Sequence, residues 1–148
     1  VLVVGVDSLM TSLARCCRPA PPDEIDGFVT RGKGVAIHRR HCSNLRHMRE
    51  SAPDRVIAVE WGRARGEALY PIDVQVEAND RPALLRDITE VFAKEKVNVT
   101  GAHSQNVRSG GSVTAWMTFT VEVPGSDRLA AVLKLVAQVA GVRSARRK

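Results

Sequence analysis

All three cysteines of the chain and two of its four histidines lie between residues 16 and 42, and this clustering constrains how the first half can fold. Thiolate and imidazole groups held close together can bind a tetrahedral zinc ion, at about 2.3 Å from sulfur and about 2.0–2.1 Å from nitrogen. The candidate ligands are Cys16, Cys17, His38 and Cys42. His41 is an alternative to one of these four. Two adjacent cysteines can bind one metal only if the chain bends sharply, and Pro19 favours such a bend.

The same residues allow two other interpretations. Cysteine is often a small apolar core residue, so the three cysteines can be buried beside a surface histidine. Adjacent cysteines can also act as a thiol redox sensor, although a bound zinc ion would protect the thiolates. The common C-x-x-C spacing of zinc-binding loops is absent, so spacing alone leaves all three interpretations open. An odd number of cysteines at one site argues against a secreted disulfide framework and favours the reducing cytoplasm.

Composition limits the partners of the chain. At 148 residues it forms one domain or two small ones, and its 44% hydrophobic and 26% charged residues are those of a globular protein. A net charge of +6 favours an anionic partner such as nucleic acid, while an aromatic content of 4% argues against an aromatic platform for single strands. No apolar run reaches the roughly 20 residues of a membrane span and no signal peptide is visible, so we expect no membrane contact. Because the chain does not begin with Met, we expect it to be a fragment of a longer protein.

The first half alternates between strand and helix patterns. Residues 1–6 predict a buried strand. Asp7 or Ser8 would then begin a short helix that contains Leu13 and the adjacent cysteines and ends at Pro19. The remaining predicted elements are strands at residues 25–30, 35–38 and 55–61, a hairpin turn at residues 31–34, and a helix at residues 42–50.

Residues 62–66 predict a domain boundary, because they contain two glycines and no apolar side chain larger than alanine. The pattern that follows has the order βαββαβ. Its predicted elements are strands at residues 70–78, 97–107, 113–123 and 142–145, helices at residues 80–96 and 126–140, and a hairpin loop at residues 109–112. Asp80 would cap the first helix, with Pro82 in its first turn. Right-handed crossovers on an antiparallel sheet then give an α+β fold of the ferredoxin-like plait type.

Three segments resemble a known family. They are LARCCRP at residues 13–19, GFVTRGKGVAIHRRHC at residues 27–42 and NDRPALLRDIT at residues 79–89. Together they closely resemble the C-terminal regulatory region of the long RelA/SpoT enzymes, which make the alarmone (p)ppGpp in the bacterial stringent response. The resemblance covers essentially the whole chain. It implies a zinc-finger-like α/β domain at residues 1–66 with a structural Zn²⁺ ion on the four candidate ligands, followed by an ACT domain at residues 67–148.

The resemblance also implies a function. In the family this region contacts the ribosome near the A site and an uncharged tRNA, and it relays that state to the catalytic domains of the parent chain. We therefore expect this chain to contain no catalytic residues. The resemblance implies that the parent protein is a GTP diphosphokinase, and the sequence leaves open whether the parent also hydrolyses (p)ppGpp. Basic side chains around the proposed metal site are the expected RNA contacts, although each can instead belong to a solvated charged surface. They are Arg15, Arg18, Arg31, Lys33, Arg39, Arg40, Arg46 and Arg49.

Amino-acid binding is the alternative function. ACT domains often dimerise and bind an amino acid, such as a branched-chain one, at the turn between the first strand and the first helix. In this chain the turn comprises Asn79, Asp80, Arg81, Pro82, Ala83 and Leu84. Relatives usually carry Gly at the position of Ala83, whose methyl group would narrow the space for a small ligand. Calorimetric titration with branched-chain amino acids tests this alternative, and an exposed edge strand in this half would permit a homodimer.

Overall fold

The computed structural model describes residues 2–3, 10–32, 34–61 and 69–148. The chain divides into two compact units, Val1–Ala68 and Leu69–Lys148. Three predicted features lie outside the described residues. They are the helix start at Asp7 or Ser8, the RNA-contact residue Lys33 and the domain boundary at residues 62–66. Among the described residues, no helix combines the length and the apolar character needed to cross a membrane.

A five-stranded sheet forms the first unit. Its strands are β1 (Leu2–Val3), β2 (Thr11–Leu13), β3 (Ile25–Thr30), β4 (Gly34–Arg39) and β5 (Val56–Glu60), in the spatial order β1-β5-β3-β4-β2. β2 runs parallel to β4, and the other neighbouring strands are antiparallel. Helix α1 (Ser43–Ser51) and a 3-10 turn (Pro53–Arg55) connect β4 to β5. The predicted hairpin, the helix after it and the strand that follows are thereby confirmed.

The predicted short helix that contains Leu13 and the adjacent cysteines is wrong. Thr11–Leu13 is strand β2, which pairs with residues 35–37 of β4. The N–H group of Ala14 extends this pairing, because it donates to the carbonyl of Ile37 at 2.9 Å. Helix propensity is a weak preference, and the hydrogen bonds that β4 offers outweigh it here. Of the predicted first strand, the structure describes Leu2–Val3, which pairs with β5.

One face of this sheet carries an apolar core. The core residues are Ile25, Val35, Ile37 and Val59, with Leu13, Val29, Ile57 and Trp61 packed against them. Gly27 lies in the middle of this face. A methyl group on its Cα would lie 2.6 Å from Cγ1 of Val35 and 2.9 Å from Cγ1 of Val59. The core therefore packs directly on the backbone of β3.

The second unit is an antiparallel sheet with two helices. Its elements are β6 (Tyr70–Asn79), α2 (Leu84–Lys94), β7 (Asn98–Ser109), β8 (Ser112–Val123), α3 (Ser126–Val136) and β9 (Val142–Arg147). The spatial order of the strands is β7-β8-β6-β9, and all the pairs are antiparallel. This is the predicted α+β ferredoxin-like plait. β7 and β9 lie at the two edges of the sheet, so an edge strand is present as predicted, and the homodimer itself stays a prediction.

The core of the second unit follows the two periods of the sequence. Every second residue of β6, from Ile72 to Ala78, is buried. Helices α2 and α3 each bury one stripe of side chains, which comprises Leu84, Ile88 and Phe92 in α2 and Leu129, Val132, Leu133 and Val136 in α3. The rings of Phe92 and Phe119 meet with their centroids 5.5 Å apart and tilted by 58°. That geometry is typical of stabilising aromatic pairs and ties α2 to the central strand β8.

The predicted helix cap at Asp80 is wrong. Helix α2 begins after Ala83, which adopts the left-handed conformation (φ +63°), and no side chain caps it. Asp80 instead bonds to the β7–β8 hairpin. Its N–H donates to the carbonyl of Val113 at 2.9 Å, and its carboxylate accepts a hydrogen bond from Nδ2 of Asn106 at 3.2 Å. These contacts draw Asp80 away from the helix.

We predict that Gly27→Ala destabilises the first unit by about 1–3 kcal/mol, because a methyl group at this position overlaps two core side chains. Urea unfolding followed by Trp61 fluorescence in a Trp116→Phe background would measure the change. Gly101→Ala in β7 of the second unit, followed by Trp116 fluorescence in a Trp61→Phe background, is the matched control, since a methyl group there meets Thr120 at an ordinary 3.6 Å. Equal losses of stability in the two variants would contradict this account of the core.

Candidate metal centre

Four side chains converge at the end of β4. They are those of Cys16, Cys17, His38 and Cys42, whose candidate ligand atoms all lie within 4.8 Å of one another. The Sγ atom of Cys16 lies 3.5 Å from Nδ1 of His38 and 3.6 Å from Sγ of Cys42. The Sγ atom of Cys17 lies 3.9 Å from the same Nδ1 atom. The edges of a tetrahedron with normal zinc–sulfur and zinc–nitrogen bonds are about 3.5–3.8 Å long, so the four groups can hold a metal ion.

The burial of these residues excludes the apolar-core interpretation. Cys16 is exposed, and Cys17 and Cys42 are half-buried, whereas buried structural cysteines would be covered. The histidine is the buried member, since 6% of His38 is exposed. All three cysteines are free thiols. The cysteines therefore lie between the buried imidazole and the solvent.

A tight turn lets the adjacent cysteines reach one point. The N–H group of Arg18 donates to the carbonyl of Ala14 at 3.1 Å and closes a single helical turn around both cysteines. Arg18 has a positive φ of +42°, which turns the chain sharply before Pro19. The N–H group of Arg39 donates to Sγ of Cys17 at 3.3 Å and fixes that sulfur against β4. The sharp bend that the sequence required is thus present.

Cys42 reaches the group from the start of α1. Its N–H group donates to the carbonyl of Arg39 at 2.9 Å, and this turn carries the chain from β4 into the helix. His38 lies in β4 directly across from Asp26 in β3. Because neighbouring strand residues point to opposite faces, His38 and Asp26 lie on the face opposite the Ile37 core. The ligand face of the sheet is therefore the one opposite the Ile37 core, and it also carries the buried side chain of Phe28.

The candidate ligands differ in their pKa values. Burial lowers the pKa of His38, so its imidazole is neutral at pH 7 and offers a lone pair. Burial raises the pKa of the Cys17 thiol to about 12, and the nearby sulfurs of Cys16 and Cys42 add to this rise. Partial burial also acts to raise the pKa of Cys42, but the N–H groups at the start of α1 and the neighbouring thiols outweigh it and lower that pKa. A metal ion must therefore displace a proton from Cys17 in order to bind.

His41 lies outside this group, although the sequence allowed it as a substitute ligand. It is exposed, and its Nε2 atom lies 3.8 Å from a carboxylate oxygen of Glu24. His41 lines a concave region of about 320 Å³ beside the metal group, together with Cys17, Cys42 and Arg39. The structure thus favours His38 over His41 as the nitrogen ligand.

The predicted RNA-contact residues divide into two groups. Arg15, Arg18, Arg39, Arg40, Arg46 and Arg49 come from the cysteine turn, the end of β4 and helix α1, where the ligands also lie. Arg31 lies at the tip of the β3–β4 hairpin, beyond Thr30 and Gly34. His38 lies four residue steps beyond Gly34 along β4, which places the tip about 13 Å or more from the metal group. Arg31 therefore lies away from the other arginines, and its contact with RNA stays a prediction.

Two acidic residues near the site were missed. The Oδ2 atom of Asp26 lies 2.7 Å from Nη2 of Arg49 and 3.5 Å from Nε of Arg40, and a carboxylate oxygen of Glu24 lies 3.5 Å from Nη1 of Arg40. Strand alternation carried a signal for Asp26, because β3 buries Ile25 and Gly27 on the core face. Asp26 between them had to lie on the face of His38.

The residues of the candidate amino-acid turn have partners within the second unit. The Arg81 guanidinium donates to the carbonyl of Ala140 at 2.7 Å, to the carbonyl of Pro82 at 2.9 Å and to the Asp87 carboxylate at 2.8 Å. Arg143 donates to the side-chain oxygen of Asn79. The Asn-Asp-Arg segment therefore has a role in folding that requires no bound ligand. Amino-acid binding at residues 79–84 stays a prediction.

Comparisons with known proteins bear on the same two units. The model of the RelA/SpoT RIS domain matches residues 1–62, and that of the ACT domain matches residues 66–147. A GTP pyrophosphokinase of Escherichia coli K12 is 44% identical over 147 residues, which are 99% of this chain and 19% of that protein. One from Streptomyces coelicolor is 41% identical over 142 residues, which are 96% of this chain and 16% of that protein. A crystal structure of the ACT domain from GTP pyrophosphokinase of Chlorobium tepidum covers 55% of this chain and 100% of its own at 16% identity, with a TM-score of 0.45.

The ferredoxin-like unit, matched over more than half of the chain, is an ACT domain. With the Cys/His unit before it, the chain belongs to the RelA/SpoT family and corresponds to the C-terminal part of its members. The chain spans less than a fifth of the length of the curated relatives named above.

We predict that zinc binding to the purified chain releases protons, because a metal ion must displace the proton of Cys17. The neutral His38 contributes no proton at pH 7. Each released proton raises the binding constant about tenfold per pH unit, so the affinity rises with pH above neutrality. Titration calorimetry in buffers of different ionisation enthalpy counts the protons. Binding without proton release would contradict coordination by Cys17.

Proposed function

We propose that this chain is a non-catalytic regulatory region of a stringent-response GTP pyrophosphokinase. In this proposal it acts in the cytoplasm, contacts the ribosome and an uncharged tRNA, and controls the catalytic domains of its parent chain. The observation that carries the proposal is a Cys/His group that could hold a metal ion, with arginines on the same segments, within a unit that the RelA/SpoT RIS model matches. Relatives named GTP pyrophosphokinase support the activity of the parent.

Zinc is the metal that the ligand set favours. Three sulfurs and one imidazole nitrogen form a soft, tetrahedral set without an open position, which is typical of structural zinc. The three cysteines and His38 come from the turn after β2, the end of β4 and the start of α1. A shared ion would join these three segments. We therefore assign the ion the role of holding this end of the unit in one conformation.

The RNA-binding surface in this proposal is the metal-end surface, defined by Arg15, Arg18, Arg39, Arg40, Arg46 and Arg49. Guanidinium groups suit this role because they remain charged and can donate two parallel hydrogen bonds to a phosphate. Phosphate contacts position a protein on RNA, while folded RNA is recognised largely by its shape. A surface held by a metal ion would present these charges in a fixed arrangement.

Native mass spectrometry tests the metal assignment. We expect one zinc ion per chain, lost on treatment with a strong chelator and absent from Cys42→Ser, because that variant lacks one thiolate. His41→Gln is the matched control, since His41 lies next to Cys42 in sequence but outside the ligand group, and it should retain the ion. A chain that is equally stable without metal would refute a structural role for zinc.

Ribosome binding tests the proposed function. We expect the zinc-loaded chain to bind 70S ribosomes, with the logarithm of affinity falling linearly against the logarithm of salt concentration. Each phosphate contact contributes about 0.7–0.9 to that slope. Co-sedimentation at KCl concentrations between roughly 50 and 200 mM, where salt changes the affinity strongly, gives the slope. Absence of binding at low salt by a folded, zinc-loaded chain would overturn the proposal.

A further inference from the structure

Two sulfurs of the metal group lie close together although they come from segments distant in sequence. The Sγ atoms of Cys16 and Cys42 are 3.6 Å apart, and the two cysteines are 26 positions apart in the chain. Cys16 is exposed, so small solutes reach its sulfur directly from solvent. A disulfide bond requires the two sulfurs to move closer by about 1.5 Å, which rotation of the side chains can supply. This pair can therefore be joined with little change in the backbone.

Cys17 is less suited to either bond. The Cα atoms of adjacent residues lie about 3.8 Å apart across a trans peptide, below the roughly 4.4–6.8 Å that disulfides span, so a bond between Cys16 and Cys17 would be strained. Cys17 is also half-buried, and its Sγ atom accepts the N–H of Arg39 at 3.3 Å, which holds it against β4. The structure thus moves the redox interpretation from the adjacent cysteines to the pair Cys16 and Cys42.

We propose that Cys16 and Cys42 form a reversible disulfide when a peroxide reaches the exposed end of the metal group, in competition with zinc for the same two sulfurs. The inference rests on the zinc assignment of the proposed function and adds a means of regulating that site. The disulfide leaves Cys17 and His38 as ligands, and two ligands are too few for a structural zinc site. Zinc occupancy of the first unit therefore falls under oxidising conditions.

The reaction transfers two electrons from the two sulfurs to one peroxide molecule. The Cys16 thiolate attacks a peroxide oxygen, so that an S–O bond forms, the O–O bond breaks and hydroxide leaves. The Cys42 thiolate then attacks the oxidised sulfur, so that the S–S bond forms, the S–O bond breaks and a second hydroxide leaves. Both hydroxides take protons from solvent and become water. A dithiol reductant regenerates both thiols by two exchange steps.

The test treats the zinc-loaded chain with hydrogen peroxide, counts free thiols after denaturation and measures released zinc with a chromogenic chelator. We expect the three free thiols to fall to one per chain, with one zinc ion released per disulfide. Excess zinc should slow both changes, because it occupies the sulfurs that react. Dithiothreitol with added zinc should restore the thiols and the bound ion.

Peptide mapping identifies the bond in the wild-type chain. Trypsin cuts between Cys17 and Cys42, so mass spectrometry detects the expected disulfide as two linked peptides. A bond between Cys16 and Cys17 would instead stay within one peptide and would refute the proposal. Fragmentation of the linked peptides shows which of the adjacent cysteines is joined to Cys42.

Two variants provide a matched comparison. Cys17→Ser and Cys16→Ser each remove one thiol from the same turn, so each loses one candidate zinc ligand. We expect peroxide to form the disulfide with Cys42 in Cys17→Ser and to leave the two thiols of Cys16→Ser unjoined. Circular dichroism verifies that both variants are folded, and fragmentation of the wild-type peptides decides the pairing where one is not. Equal disulfide formation in the two variants would refute the assigned pair.

The outcomes separate this inference from the proposed function. If the untreated chain holds zinc but peroxide leaves all three thiols free and the ion bound, the oxidation site is refuted and the zinc assignment stands. If the untreated chain binds no zinc, the zinc assignment fails and the competition fails with it. A rate of disulfide formation that does not change on addition of zinc would refute competition for these sulfurs while leaving zinc binding intact.

Discussion

The contact of the buried His38 imidazole with two adjacent thiols is the interaction on which the candidate site depends. His38 lies near the end of a strand whose other face is filled by Val35 and Ile37. Its ring therefore has to face the cysteine turn. The 3.5 and 3.9 Å separations from Cys16 and Cys17 place the three groups at ligand distances. The charged surface around the ligands follows from the same placement, because its arginines belong to the segments that supply the sulfurs.

The two faces of the first sheet carry different groups at the end near the candidate ligands. On one face, apolar side chains pack against the bare backbone of Gly27, which leaves no room for a side chain. On the other face, Asp26 and His38 lie directly opposite each other in β3 and β4. Asp26 orients arginines, and His38 orients thiols. A shift of one residue in the strand pairing would exchange the faces, so the core also determines where the ligands and charges point.

The second unit shows how the same residues can be read as a binding motif or as a folding motif. The segment at residues 79–81 resembles a ligand-binding turn in sequence, yet its side chains bond to residues far along the chain. Arg81 reaches the carbonyl of Ala140, and Asn79 accepts from Arg143. Those partners lie about sixty residues away, so no local pattern could reveal them. The plait itself was predictable because its strands bury every second side chain and its helices bury every third or fourth.

The sequence by itself determined the βαββαβ order, the hairpin of the first unit and the four candidate ligands, because these depend on local periodicity and on residue type. Only the tertiary structure decided that Thr11–Leu13 is a strand, that Asp80 leaves its helix, and that Arg31 lies far from the cysteines. It also decided which histidine meets the thiols, and it brought Asp26 to the arginines. Each of these depends on contacts between segments distant in sequence, whose free energy exceeds the weak local preferences that a sequence pattern records.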